Sequence, residues 1–144
     1  MKNITKRYLL LHNNYDRIIK NNFKERIMNK LFLQYPKCTT CRKAKKFLQE
    51  NNVAFDDRDI TVENPTVEEL EKWITLSGLE IKKFFNTSGV LYREMNLKDK
   101  IKDMSREEMI KLLATDGKLV KRPLLICEDK VLVGFKEEQY KEIL

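Results

Sequence analysis

Apolar and aromatic residues gather in a short run at 30–35, KLFLQY, which reads as a β-strand. From Cys41 to Asn51 the spacing changes. Ala44, Phe47 and Leu48 fall on one face of a helix, and the lysines take the other positions. At 53–60, VAFDDRDI alternates well enough to predict a second strand. Strand, helix and strand in such close succession predict a parallel pair with a right-handed crossover. Asn64 and Pro65 then punctuate the chain.

The middle of the chain reads as helical. Thr66-Val67-Glu68-Glu69 has the form of a capping box, in which hydroxyl and carboxylate each satisfy a free amide at the helix start. Val67, Leu70, Trp73 and Ile74 make its apolar stripe, and Gly78 suits its end. A short helical piece at 80–85 is broken by NTSG at 86–89, and a further stretch is expected around 97–103. Ser105-Arg106-Glu107-Glu108 is a second capping box, leading a helix that ends near Asp116-Gly117. RPLLIC at 122–127 and KVLVGF at 130–135 predict an antiparallel hairpin turning through Glu128-Asp129. A helix over 136–144 closes the chain. The order is β-α-β, a helical middle at about 66–116, then β-β-α, an α/β domain spanning 28–144.

Composition narrows the class. With 144 residues, 42% hydrophobic and 35% charged, the chain suits one soluble globular domain. No apolar run is long enough to cross a bilayer, so no membrane partner is expected. The net charge of +7 is concentrated at the front: residues 1–27 hold seven Lys/Arg and two Asp/Glu, a net of +5. The rest is nearly balanced, and no direct contact with nucleic acid is expected of it. Residues 1–27 lack Gly and Pro, and the apolar run from Tyr8 to Leu11 is too short for a signal peptide. Met28 follows Lys24-Glu25-Arg26, which a purine-rich ribosome-binding sequence can encode. The reading is that the natural start is Met28 and 1–27 is a misread leader. A genuine basic arm touching RNA or a partner is the alternative. Without a secretory signal the protein is expected in the reducing cytoplasm, where a close cysteine pair is reactive, sensing or metal-binding rather than a permanent staple.

That pair is Cys38-Thr39-Thr40-Cys41, at the boundary of the first strand and first helix. The thiolate is the nucleophilic form of cysteine. Free amides of Thr39, Thr40 and Cys41 and the helix dipole would favour a thiolate at Cys38. Cys41, one turn on, faces the helix and suits a resolving thiol that closes an internal disulfide. Two other readings stay open. Zinc needs four ligands, and the chain adds only distant Cys127 and His12 to the pair. The cysteines could also be inert. No histidine follows residue 12, so the usual general base of a Cys–His hydrolase is missing. Cys127 is expected to pack in the core with Leu124, Leu125 and Ile126, and Trp73, Phe84 and Phe85 in the helical layer. Tyr92 either packs or lines the cysteine cleft. Arg42, Lys43, Lys45 and Lys46 read as a solvated face, or as a dock for an acidic partner. Asp56, Asp57 and Asp59 read as solvated carboxylates, with a magnesium site as the alternative.

YPKCTTCRKAKKFL at 35–48, FFNTSG at 84–89 followed by Tyr92, and KRPLLI at 121–126 followed by VLVGF at 131–135 resemble the ArsC/Spx family. The resemblance covers about residues 29–144. It implies a thioredoxin-like fold, with a mixed four-stranded sheet and a helical insertion, and places Pro123 as a cis proline facing the cysteine loop. Arsenate reductases of this family use one cysteine and several arginines. Arg122 matches one of these, while Asn86 and Gly134 stand near where others are expected, so arsenate should bind weakly. The family reading is a thiol–disulfide reductase in which Cys38 attacks, Cys41 resolves, and Arg122 with the helix amides of Thr39 and Thr40 stabilises the anion. Asn86, Thr87 and Pro123 would border the pocket. No bound cofactor or metal is implied. Reducing equivalents would come from thioredoxin, glutaredoxin or a glutathione-like thiol, and the partner would be a small-molecule or protein thiol or disulfide. The alternative is an Spx-type redox switch that binds the C-terminal domain of the RNA polymerase α subunit.

Overall fold

Strands β1 (Lys30–Gln34), β2 (Phe55–Asp59), β3 (Leu124–Ile126) and β4 (Val131–Val133) form one mixed sheet in the order β2-β1-β3-β4. The computed structural model describes residues 30–144 together with Arg17, so the expected start at Met28 and the leader or arm at 1–27 lie outside the described residues. β1 pairs with β2 in parallel and with β3 in antiparallel, and β3 pairs antiparallel with β4. Helix α1 (Thr39–Glu50) joins the parallel pair, and α6 (Glu137–Lys141) follows the hairpin. Between β2 and β3 lie α2 (Val67–Ser77), α3 (Val90–Glu94), α4 (Leu97–Lys100) and α5 (Arg106–Leu113), with short 3₁₀ turns at Ile81–Phe84, Ile101–Asp103 and Gly117–Leu119. A β-α-β unit and a β-β-α unit with helices inserted between them make a thioredoxin-like fold.

Strand alternation divides the core into two layers. Phe32, Leu125 and Leu132 face one way and pack with Ala44, Leu48 and Tyr140 of α1 and α6. Leu33, Leu124 and Val131 face the other way, onto Leu70, Trp73, Ile74 and Phe84 of the insertion. The helical middle is therefore the second layer of the same domain. Tyr92 is buried in that layer, its ring 6.3 Å from Phe85 in an edge arrangement, and it does not line the cysteine cleft.

One carboxylate ties the first helix of the insertion to β2. Thr66 accepts from the Glu69 amide at 3.1 Å, and Glu69 Oε2 accepts from the Thr66 amide at 3.0 Å. The same carboxylate receives both Arg58 Nη atoms, at 2.9 and 3.0 Å, and the guanidinium lies 5.9 Å over the Trp73 ring. Cutting the cap with Thr66→Ala is expected to cost about 1 kcal/mol. It should lower the urea midpoint without changing the slope of the transition; an unchanged midpoint would count against the cap.

The boundaries differ from the sequence reading in instructive ways. α1 begins at Thr39 rather than Cys41, which makes Cys38 its N-cap. α3 was not anticipated, because Gly89 caps it without a side-chain hydrogen bond. β3 and β4 hold three residues each, shorter than the runs that predicted them. The chain turns between Ile126 and Val131, and Cys127 donates its N–H to the Lys130 carbonyl at 2.8 Å. Cys127 is accordingly half-buried at the strand end, where it packs against the core layer of Phe32, Leu125 and Leu132 as expected. Of the three aspartates, Asp57 pairs with Lys45 and accepts from Gln34, and Asp59 accepts from Thr61. Among the described residues no cluster of metal-binding side chains forms, and no helix is long and apolar enough to cross a membrane.

Candidate functional site

The Cys38 backbone is extended, at φ −84° and ψ 121°, immediately before the twelve residues of α1. The first turn carries no acidic residue to oppose the positive end of the dipole. Cys38 is partly exposed and lines the cleft, so its sulfur can be reached. Burial alone would raise this thiol. The Cys41 amide and thiol and the Arg122 guanidinium outweigh that effect and hold it below the usual thiol range. Cys41 is fully buried. There burial dominates and pushes the thiol far above the usual range, and the facing Cys38 sulfur adds to the rise. Two thiols one helical turn apart are thus tuned in opposite directions.

Arg122 reaches Cys38 because its segment is pinned on both sides. Lys121 donates its N–H to the Phe84 carbonyl at 2.7 Å, and Gly134 donates to the Pro123 carbonyl at 2.8 Å. A single bridge joins Phe85 to Val120, and the Arg122–Pro123 peptide bond is cis. The guanidinium stacks 4.9 Å from the Tyr35 ring centroid, while its Nε and Nη1 atoms are buried with no hydrogen-bond partner among the described residues. Unpaired buried donors of a fixed cation favour an anion beside them.

Asn86 is buried and held from several directions. Its amide donates to the Leu119 carbonyl at 2.8 Å, its Nδ2 donates to the Lys118 carbonyl at 3.3 Å, and Ser88 Oγ donates to its Oδ1 at 3.4 Å. A Cβ on Gly89 would come within 2.7 Å of Asn86 Nδ2, so glycine lets the loop close over that side chain.

These segments enclose a cleft of about 500 Å³. Of the expected residues, Cys38, Thr40, Asn86 and Arg122 line it. Cys41 lies beneath the surface. Thr39 and Thr87 are exposed and do not line the cleft, and Ser88, Gly89 and Val90 border it where Thr87 was expected. Pro123 is buried and does not line the cleft. Gly134, noted for the missing arginine, is on the wall and leaves it open. The cleft also takes in Lys121 and Lys136, which the sequence reading did not single out. Among the described residues its lining has three cations and no carboxylate. The only hint in the sequence was that both lysines flank the hairpin.

If Arg122 holds the thiolate, Arg122→Ala should move the pH profile of Cys38 alkylation upward. Iodoacetamide rates measured against pH, with Arg122→Lys as a charge-preserving control, check this. Coinciding profiles for the alanine variant and the parent would contradict it.

The sequence profile of the ArsC family matches residues 33–143. The chain is 52% identical to the Bacillus subtilis (strain 168) protein YusI over 115 residues, covering 80% of this chain and 98% of YusI. It is 34% identical to the regulatory protein MgsR of the same strain over 104 residues, covering 72% of this chain and 81% of MgsR. Among solved structures, one described as an ArsC family related protein from Bacteroides fragilis is 59% identical, with a TM-score of 0.80, covering 82% of this chain and 99% of that one.

Proposed function

The chain belongs to the ArsC family, and from that premise we propose that it is a thiol–disulfide redox protein with Cys38 as nucleophile and Cys41 as resolving thiol. The observation that carries this reading is the opposite tuning of the two sulfurs: a lowered thiol on the cleft and a raised, buried one a turn behind it. The Cys38 thiolate attacks a disulfide. One sulfur of the partner leaves as a thiolate, and a mixed disulfide forms. That step removes the negative charge that opposes ionisation of Cys41. Cys41 then attacks Cys38, and its proton passes to the departing partner sulfur. The second partner sulfur leaves as a thiol, and the Cys38–Cys41 disulfide remains. The partner has gained two electrons and the pair has lost two. Thioredoxin, glutaredoxin or a glutathione-like thiol restores the dithiol, and no step calls for a bound cofactor. Thr40, Asn86 and Arg122 border the reacting sulfur.

Arsenate is a poor fit to this cleft. Among the described residues Arg122 is the only guanidinium in the lining, and a lysine offers a point charge in place of the planar fork. A second reading has support in the similarity to a regulatory protein. In it, oxidation of the pair alters a surface that binds the C-terminal domain of the RNA polymerase α subunit. Reduction of hydroxyethyl disulfide with glutathione as donor separates the two. Turnover that disappears in Cys38→Ser supports the enzyme. Redox-dependent capture of the polymerase domain without turnover would replace it with the regulator.

A further inference from the structure

Among the described residues the sheet ends at β4, and half of that strand's backbone groups point away from the sheet. Cys127 donates to the Lys130 carbonyl and Gly134 donates to the Pro123 carbonyl, both at 2.8 Å. With the register Leu125↔Leu132, these bonds make Lys130, Leu132 and Gly134 the residues that bond β3. Val131 and Val133 alternate with them, so their N–H and C=O groups point to the outer side of β4, where Val131 is buried and Val133 partly exposed. No described backbone group bonds them there.

A groove of about 410 Å³ follows this edge, with Leu79 on its wall. Among the described residues four lysines surround it, Lys83, Lys121, Lys130 and Lys136, and no carboxylate contributes to the lining. None of the four forms an ion pair with a carboxylate among the described residues. The groove is also continuous with the cleft at Cys38, since Lys121, Val133 and Lys136 line both.

We propose that the β4 edge docks an extended acidic segment of a protein partner and leads that partner's sulfur to Cys38. Open strand amides supply the register, as in strand addition. The lysines supply the sign of the charge, and the shared wall supplies the direction. The proposal names a partner for the thiol chemistry proposed above and rests on it only for delivery of the sulfur. A small anion in the cleft would use Lys121 and Lys136 and have no need of Lys83 or Lys130. Lysines that merely keep sheet edges of neighbouring copies apart would give no strand register to a bound peptide.

The test uses the full chain carrying Cys41→Ser. It reacts with two peptides of equal length, each bearing a cysteine as its mixed disulfide with thionitrobenzoate. One alternates glutamate with valine and threonine, and in the other glutamine replaces every glutamate. Cys38 displaces thionitrobenzoate, whose release gives the rate. The acidic peptide is expected to react about tenfold faster at low salt. Lys83→Glu with Lys130→Glu should erase that advantage while leaving the glutamine peptide's rate unchanged. N-methylation of alternate amides of the acidic peptide should erase it as well. Equal rates for the two peptides overturn the proposal. So does an advantage that survives the lysine changes, which would mark an anion site confined to the cleft, or one that survives N-methylation, which would mark attraction without strand pairing. If neither peptide outpaces its reaction with free cysteine, the thiol reading has failed. The docking claim is then decided by amide exchange at Val131 and Val133 with a cysteine-free acidic peptide. Slower exchange upholds docking, and unchanged exchange refutes it.

Discussion

Cys38→Ser is expected to lower disulfide turnover by on the order of 10³-fold or more, the size of loss seen when a nucleophile is removed. Cys41→Ser should halt the reaction one step later. A serine hydroxyl does not ionise near neutral pH. The dipole of α1 and the Arg122 charge, sufficient to lower a thiol, do not make an alkoxide. Cys41 cannot substitute, because it is fully buried and its thiol is held high by burial. In Cys41→Ser the Cys38 thiolate still attacks, so a mixed disulfide should accumulate and be visible in the intact mass. Removing the Cys41 thiol also removes one of the groups that lower Cys38, so the first step in this variant should need a somewhat higher pH. Stopped turnover with a trapped adduct supports the two-thiol sequence. Full turnover in Cys41→Ser would show that an external thiol resolves the intermediate and that the buried cysteine has another use.

How much of this was legible in the sequence depends on how local each cause is. Both capping boxes were readable because their partners are three residues apart, and both form as written. The parallel β1–β2 pair and the β3–β4 hairpin followed from hydrophobic runs separated by short connections. The family resemblance also anticipated the cis bond at Pro123. The contents of the cleft were harder to read. Lys121 and Lys136 are on opposite sides of the hairpin and meet in space only because the antiparallel register brings the two flanks together. Thr87 and Ser88 are neighbours in a loop without a period, so nothing local says which of them borders the cleft. Cys127 followed an unbroken apolar run, yet the need to turn toward Val131 ends the strand one residue before it. Short-range chemistry and hydrophobic period carried the architecture, while the lining of the site came from tertiary closure.

Gly117→Ala is expected to cost about 3 kcal/mol or more, at the upper end of overpacking substitutions, and to lower Tm by about 10–20 °C. Its backbone has no need of a left-handed conformation, so the demand is for space. A Cβ there would lie 1.8 Å from the Ile60 carbonyl oxygen and 2.7 Å from the carbonyl carbon. Those atoms belong to the backbone just past β2, where Ile60 donates its own N–H to the Gln34 carbonyl at 2.9 Å. They cannot move aside without pulling on the sheet. Gly117 itself donates to Asn64 Oδ1 at 3.2 Å, so the loop is held in place from the other side. Gly78 is an informative contrast. It caps α2 at φ 66°, where nothing lies within 4 Å of an added Cβ, so Gly78→Ala should cost only about 1 kcal/mol, from the left-handed backbone. The damage at Gly117 should also reach the cleft, because the next residues carry the Lys118 and Leu119 carbonyls that hold Asn86, and then Val120, Lys121 and Arg122. Thermal melts of the two variants beside the parent, with Cys38 alkylation measured below the transition, test both parts. Gly117→Ala should melt far below Gly78→Ala and should alone change the alkylation profile. Equal melting temperatures would mean that the loop can lift from Ile60 at little cost and that the site is not held in place from this side.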